Sequence, residues 1–328
     1  LNDLAVSMLS GVTTLCFAAS YAVALVLEIS RLMFRSSVRR VVMLGFAAAG
    51  LFAQTAFLYY RAVHEHGTPL SSERDWYLVA AWVLVVVYLH LAILHPKAPF
   101  GLFLLPLVLG LIGAATFLAN NIPLAREPAS KIWGALHGIS IMLATVSVLI
   151  GFVAGLMYLG QARRLKHKNP ATGGLQLPSL EWLQWANSRA ILISVLMLGL
   201  GVLSGMVLNG INALDEAKRL PWNDPVILST WLMFFWLLAA MILSTLYRPA
   251  RAGRRVAYLT LVSFVFLAIM LAAGLLMNSR HWGRKQVESG EWRVESKRPT
   301  NLLYFINNPY SPLSTLHSPL PSPGGPPC

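Results

Sequence analysis

The chain predicts an all-α integral membrane protein with about eight transmembrane helices, on three observations. It has 328 residues, 56% of them hydrophobic and only 12% charged, and its mean hydropathy is +0.61. Apolar runs of about 20 residues recur along it, each long enough to cross about 30 Å of hydrocarbon. Its Lys and Arg residues crowd into alternate connections between those runs. Backbone groups in lipid have no water to bond, so runs of this length are expected to be helices.

Eight spans are predicted, at about residues 5–29, 40–61, 77–95, 99–119, 133–160, 190–211, 226–247 and 255–277. Fourteen Lys and Arg fall in one set of loops, at positions 31–40, 97, 163–189 and 248–255. Six fall in the opposite short loops: Arg61, Arg74, Arg126, Lys131, Lys218 and Arg219. The positive-inside rule puts the larger set in the cytoplasm and both termini outside. Topology therefore accounts for the net charge of +13. No basic patch is interleaved with exposed aromatics, so the expected surroundings are a lipid bilayer and no nucleic acid.

Taken in order, the first span is long enough from Leu4 to Leu27 to be a membrane helix, not a cleavable leader. Glu28 near its inner end is expected to snorkel toward Arg31. The third span carries His90, with His95 at the inner boundary; a spacing of i, i+5 puts them on different helix faces. His90 reads more readily as a packed histidine than as a ligand. The fifth span bears His137 about one turn inside its outer end. The long loop at 161–189 contains Leu177-Pro178-Ser179-Leu180-Glu181-Trp182-Leu183-Gln184-Trp185. That stretch reads as a short interfacial helix, with Pro178 near its start and Trp182 and Trp185 at the headgroups. The seventh span opens at Pro225, with Asp224 as its N-cap. His281 follows the eighth span directly. The tail from Asn301 is rich in Pro, Ser and Gly and reads as disordered. Three regions are expected: 1–130, with four spans; 131–285, with four more and the candidate chemistry; and an extracytoplasmic tail at 286–328.

Little else in the chain suggests chemistry. Cys16 lies in a span, and Cys328 makes no metal-binding spacing with it. There is no Ser-His-Asp set, no HExxH and no phosphate-binding glycine loop. His64, His66, His167 and His317 read as solvated. A series of buried carboxylates, of the kind ion-coupled transporters use, is missing.

What remains is a pair of histidines, His137 and His281, on one membrane face. Between them lies the outer loop Leu220-Pro221-Trp222-Asn223-Asp224-Pro225. Two imidazoles with an aromatic loop between them suit a planar metal cofactor, haem first. Each residue also has a structural reading. His137 can be a neutral histidine bonded to a loop carbonyl, and His281 and Trp222 can be interfacial anchors. Gly134 and Gly138 can leave space for a flat ligand or serve close helix packing.

Residues 133–283 resemble the cytochrome c assembly protein family of haem-handling membrane proteins, the CcsA/ResC/HemX-like group. The likeness rests on three stretches. The first is Leu136-His137-Gly138 through Tyr158-Leu159. The second is Leu177-Pro178-Ser179-Leu180-Glu181 through Leu203-Ser204-Gly205-Met206. The third is Trp222-Asn223-Asp224-Pro225 with Thr230-Trp231, then Gly253-Arg254-Arg255 and the span ending before His281. The resemblance implies a transiently held b-type haem at the outer face, with His137 and His281 as iron ligands. It implies that Trp222, Asp224 and Pro225 line the site. It also implies apocytochrome c and a second biogenesis membrane protein as partners, a part in a haem attachment (haem lyase) complex, and a bacterial cytoplasmic membrane. Several features depart from the family pattern: Asn223 interrupts the family's Trp-Asp-Pro and other loop tryptophans are missing, Ala240 and Ile242 stand where an intramembrane histidine is usual, and Ser279-Arg280-His281-Trp282 replaces the usual Gly-Leu-His-Ser-Tyr-like ending. Two other readings stay open: a HemX-like accessory protein of haem synthesis, and a small-solute transporter.

Overall fold

In a computed structural model, the residues described are 13–30, 37–65, 72–96, 98–119, 128–166, 177–211, 222, 224–246 and 249–276. They form eight α-helices and, among the described residues, no strand. The helices are α1 (Thr14–Ser30), α2 (Ser37–Tyr60), α3 (Glu73–Leu94), α4 (Gly101–Phe117), α5 (Pro128–Lys166), α6 (Leu180–Ile211), α7 (Pro225–Leu246) and α8 (Pro249–Leu276). A π-helical turn, Arg61–Glu65, extends α2. All of these lie in one compact unit, Leu1–Lys285. The proposed tail falls outside the described residues.

The eight helices match the eight predicted spans. By length and composition α2, α3, α5, α6 and α7 are able to cross a membrane, while α1, α4 and the Val256–Ala272 part of α8 are shorter apolar helices. The chain is an integral membrane protein with an all-helical fold. Successive helices run antiparallel. On α1, Tyr21 meets Gln54 of α2; Gln54 meets Leu78 of α3; and nearer the other end Gly101 of α4 meets Tyr88 of α3. Ile141 of α5 lies on Gly201 of α6, and Trp236 of α7 bonds Ser263 of α8. Alternation places the starts of α1, α3, α5 and α7 and the finishes of α2, α4, α6 and α8 at one end of the bundle.

Helix ends follow local chemistry more closely than hydropathy. The start of α3 is at Glu73, ahead of the predicted 77, because Ser72 and Asp75 form a capping box. The Ser72 hydroxyl accepts from the Asp75 amide at 3.3 Å, and the Asp75 carboxylate accepts from the Ser72 amide at 3.2 Å. The 39 residues of α5 overrun the predicted 133–160 at both ends. At about 1.5 Å per residue the helix is some 58 Å long, nearly twice the hydrocarbon thickness. Arg163, Arg164 and Lys166 in its last turn suit the negative end of the helix dipole.

Two expectations are corrected here. The stretch read as a separate interfacial helix is the first part of α6. Ser179 caps it, accepting from the Trp182 amide at 3.3 Å, and no Gly or Pro follows before Gly199 to interrupt the helix. The Trp182 ring meets His95 edge-on at 5.1 Å and Phe100 at 5.8 Å. Glu28, expected to snorkel, is 1% exposed. It packs with Tyr88 against Gly101, whose missing side chain makes the room.

Candidate haem-ligand site at one end of the bundle

His137 projects from α5 onto α6, where Gly201 and Gly205 are one turn apart on the same face. This Gly-x-x-x-Gly spacing opens a groove that lets a neighbouring helix come close. Residues four apart on α5 fill it. Ile141 lies over Gly201, and a Cβ there would sit 2.6 Å from Ile141 Cδ1. The His137 ring lies over Gly205, and a Cβ there would sit 2.9 Å from Cε1 and 3.0 Å from Nδ1. The imidazole therefore occupies the volume a side chain at 205 would need.

His137 Nδ1 is 2.7 Å from the Gly201 carbonyl oxygen. A carbonyl can only accept, so Nδ1 carries the proton and donates it. In the neutral ring Nε2 then holds the lone pair, on the far side from that carbonyl. A second-shell carbonyl on one ring nitrogen is how proteins fix tautomer and ring plane for a metal on the other. The Ser204 hydroxyl also donates to the Gly201 carbonyl at 3.0 Å and to Leu200 O at 2.8 Å. Of the two readings open for His137, the bond to a carbonyl is present, though the carbonyl belongs to a helix and not a loop. The same bond makes Nε2, and not Nδ1, the nitrogen that could face a metal. As a donor, neutral imidazole suits haem iron.

The glycines flanking His137 do not leave space for a ligand. Gly134 is buried. At Gly138, a Cβ would overlap the Trp76 ring atoms Cζ2 and Cη2. The small residue lets α3 close on α5. Trp76, absent from the predicted site, is thus beside it. Its position follows from the early start of α3, which the Ser72-Glu73-Arg74-Asp75 capping pattern announces. Behind it, Arg61 Nε donates to Asp75 Oδ1 at 3.0 Å, with both side chains under a tenth exposed. Arg61, counted above as a loop charge, is a buried member of an ion pair.

Asp224 is buried and caps α7: the Val226 amide donates to Oδ1 at 2.9 Å, and the Leu228 amide to the Asp224 carbonyl at 3.0 Å. Pro225 is the first residue of α7, where its missing N–H costs nothing. The structural reading of Asp224-Pro225 thus holds. Trp222 is 54% exposed just ahead of them. His281 lies outside the described residues; α8 finishes at Leu276, at the same end as the starts of α5 and α7. His90 is on the exposed face of α3, so it is not packed in the core. Among the described residues no cluster of three or more His, Cys, Asp or Glu is placed to hold a metal ion.

The sequence profile of the family described as Cytochrome C assembly protein matches residues 74–279. That reaches further toward the N-terminus than the likeness at 133–283 and takes in α3 and α4. A cytochrome c biogenesis protein CcsA from Synechococcus sp. (strain CC9902) is 27% identical over 285 residues, covering 79% of this chain and 91% of the relative. Its namesake from Parasynechococcus marenigrum (strain WH8102) is 28% identical over 286 residues, with the same coverage. A third, from Synechococcus sp. (strain CC9605), is 26% identical over 242 residues, covering 66% and 77%. No solved structure matches the chain.

Proposed function

Because the chain belongs to the cytochrome c assembly protein family, and so has a role in cytochrome c assembly, we propose that it holds haem at the outer membrane face for delivery to apocytochrome c. The ligands in this reading are His137 and His281. The observation that supports it is the His137 Nδ1 to Gly201 carbonyl bond, with the ring seated on Gly205. It makes Nδ1 the donor and fixes the ring plane, so that in the neutral ring Nε2 is the nitrogen that carries the lone pair.

The division of labour among the chain's residues follows. His137 and His281 would hold the iron. Asp224 and Pro225 fix the start of α7 and so the position of Trp222, whose exposed ring is available to a planar ligand. Two imidazoles on the iron would limit its side reactions with oxygen. When bound, haem supplies the vinyl groups for bonding to the apocytochrome's thiols. The membrane is a bacterial cytoplasmic membrane in this proposal, with the Arg-rich end of the bundle inside. A second biogenesis membrane protein and the attachment complex belong to the same proposal.

Absorption spectra of the detergent-purified protein, as isolated and after dithionite, test it. The expected result is a reduced low-spin spectrum in the wild type that disappears in both His137→Ala and His281→Ala. A wild type that takes up no haem even on reconstitution defeats the proposal and returns the weight to an accessory role in haem synthesis or to solute transport.

A further inference from the structure

We propose that Trp76 is a positioning residue of the His137 site, an aromatic wall supplied by α3 that touches the bound macrocycle. The proposal rests on the reading of His137 as a haem ligand. Three observations carry it. First, the Trp76 indole lies on α5 at Gly138, the residue next to His137, and occupies the place of a side chain there. Second, Trp76 is only partly buried, so the helices around it do not enclose it completely. Third, the backbone that carries it is held from three directions: by the Ser72–Asp75 capping box, by the buried Arg61–Asp75 pair, and by the Gly138 notch itself. A tryptophan meant only to anchor at a membrane surface needs none of this support.

Geometry makes the contact natural. Residues 137 and 138 are adjacent along α5, about 100° apart around it and about 1.5 Å apart along its axis. A tetrapyrrole held at His137 would be wider than the roughly 5.4 Å pitch of the helix, wide enough to reach the surface beside residue 138. On the α6 side the imidazole is backed by Gly205. On the α3 side the neighbouring surface is Trp76. Aromatic rings favour offset or edge-on contact with such a π system. The outer loop here retains Trp222 ahead of Asp224, and Trp76 adds a second indole from a rigid helix end, where placement is more exact than on a loop.

The test uses the full-length protein in detergent, reconstituted with haem b, and follows transfer of haem to an excess of an apo-haem-protein scavenger by stopped-flow absorbance. Trp76→Leu is expected to release haem about tenfold faster than wild type, with Trp76→Phe close to wild type. The reduction potential of the bound haem is expected to move in Trp76→Leu and to return in Trp76→Phe. A role confined to helix packing predicts lower thermal stability with an unchanged potential and release rate in the fraction that stays folded; that outcome overturns the proposal while leaving the two-histidine reading standing. If the wild type binds no haem, both fail together. If Trp76→Leu does not fold, Gly138→Ala decides the matter: it pushes the indole aside without removing it, and unchanged release there also overturns the proposal.

Discussion

The first four helices and the last four solve the same problem differently. In α1–α4, buried polar groups bond across helices. Tyr21 donates to Gln54 at 2.7 Å, Gln54 donates on to the Leu78 carbonyl at 2.9 Å, and Arg61 pairs with Asp75. In α5–α8 the buried polar groups are mostly hydroxyls that bond back onto their own helices. Ser194 donates to Ala190 O, Ser204 to Leu200 O, Thr260 to Ala257 O and Ser263 to Leu259 O. Across helices, two bonds, His137 to the Gly201 carbonyl and Trp236 to Ser263, are joined by close contacts at glycine: Gly151 on Ala190, Gly155 on Thr260, Gly201 on Ile141 and Gly205 on His137. One region is pinned mainly by buried polar bonds, the other mainly by shape. The comparison teaches that the candidate ligand His137 sits in the shape-fitted region, and that α3 brings the edge of the pinned region against it through Trp76.

The largest expected effect falls in the pinned region. Arg61→Met leaves the Asp75 carboxylate buried without its partner, which costs about 3–5 kcal/mol. Denaturant unfolding in mild detergent measures it, and replacing Asp75 by Asn as well should recover much of the loss. Material that does fold should keep its haem spectrum. A single variant as stable as wild type would show that water reaches the pair and that the first half is not pinned as described.

Next comes the shape-fitted region. The Gly205→Ala methyl falls 2.9 Å from His137 Cε1 and 3.0 Å from Nδ1, so the ring must leave the Gly201 carbonyl. Loss of such a second-shell bond typically costs about 10–100-fold in metal affinity, and haem titration is expected to show it. Gly210→Ala on the same helix meets nothing within 4 Å and serves as the control. Equal affinity in the two variants would show that the seat on Gly205 does not matter to binding.

The fold was largely legible because hydropathy is a property of whole segments. Eight apolar runs became eight helices, and the Asp224-Pro225 cap was visible because both residues act within one turn of their own backbone. What escaped depended on partners distant in sequence. Gly138 could be read as open space or as close helix packing, and packing is what it serves, against a Trp76 that nothing nearby in the chain announces. Arg61 looked like a loop charge because Asp75, 14 residues further on, is needed to bury it. The two glycines of α6 were present in the sequence, but only the antiparallel pairing with α5 shows which side chains they admit. One miss was avoidable: Ser72-Glu73-Arg74-Asp75 is a local signal, and reading it would have started α3 early enough to bring Trp76 onto the helix.

The smallest expected effect compares single hydrogen bonds in the two regions. Gln54→Leu removes the acceptor of Tyr21 and the donor to Leu78 O, so two contacts that link three helices vanish together. Ser263→Ala removes one, the acceptor of Trp236 Nε1 at 3.0 Å between α7 and α8. Cross-helix hydrogen bonds inside membrane proteins average about 0.6 kcal/mol, so Gln54→Leu should cost about twice as much as Ser263→Ala. The ratio matters more than either value. If the two variants prove equally mild, the bonds of α1–α4 are incidental to packing that glycine and shape already dictate, and the distinction between the halves dissolves. If Gln54→Leu costs several times the other, the three-helix relay acts as a unit, and the rigidity behind Trp76 extends from the capped start of α3 back to α1.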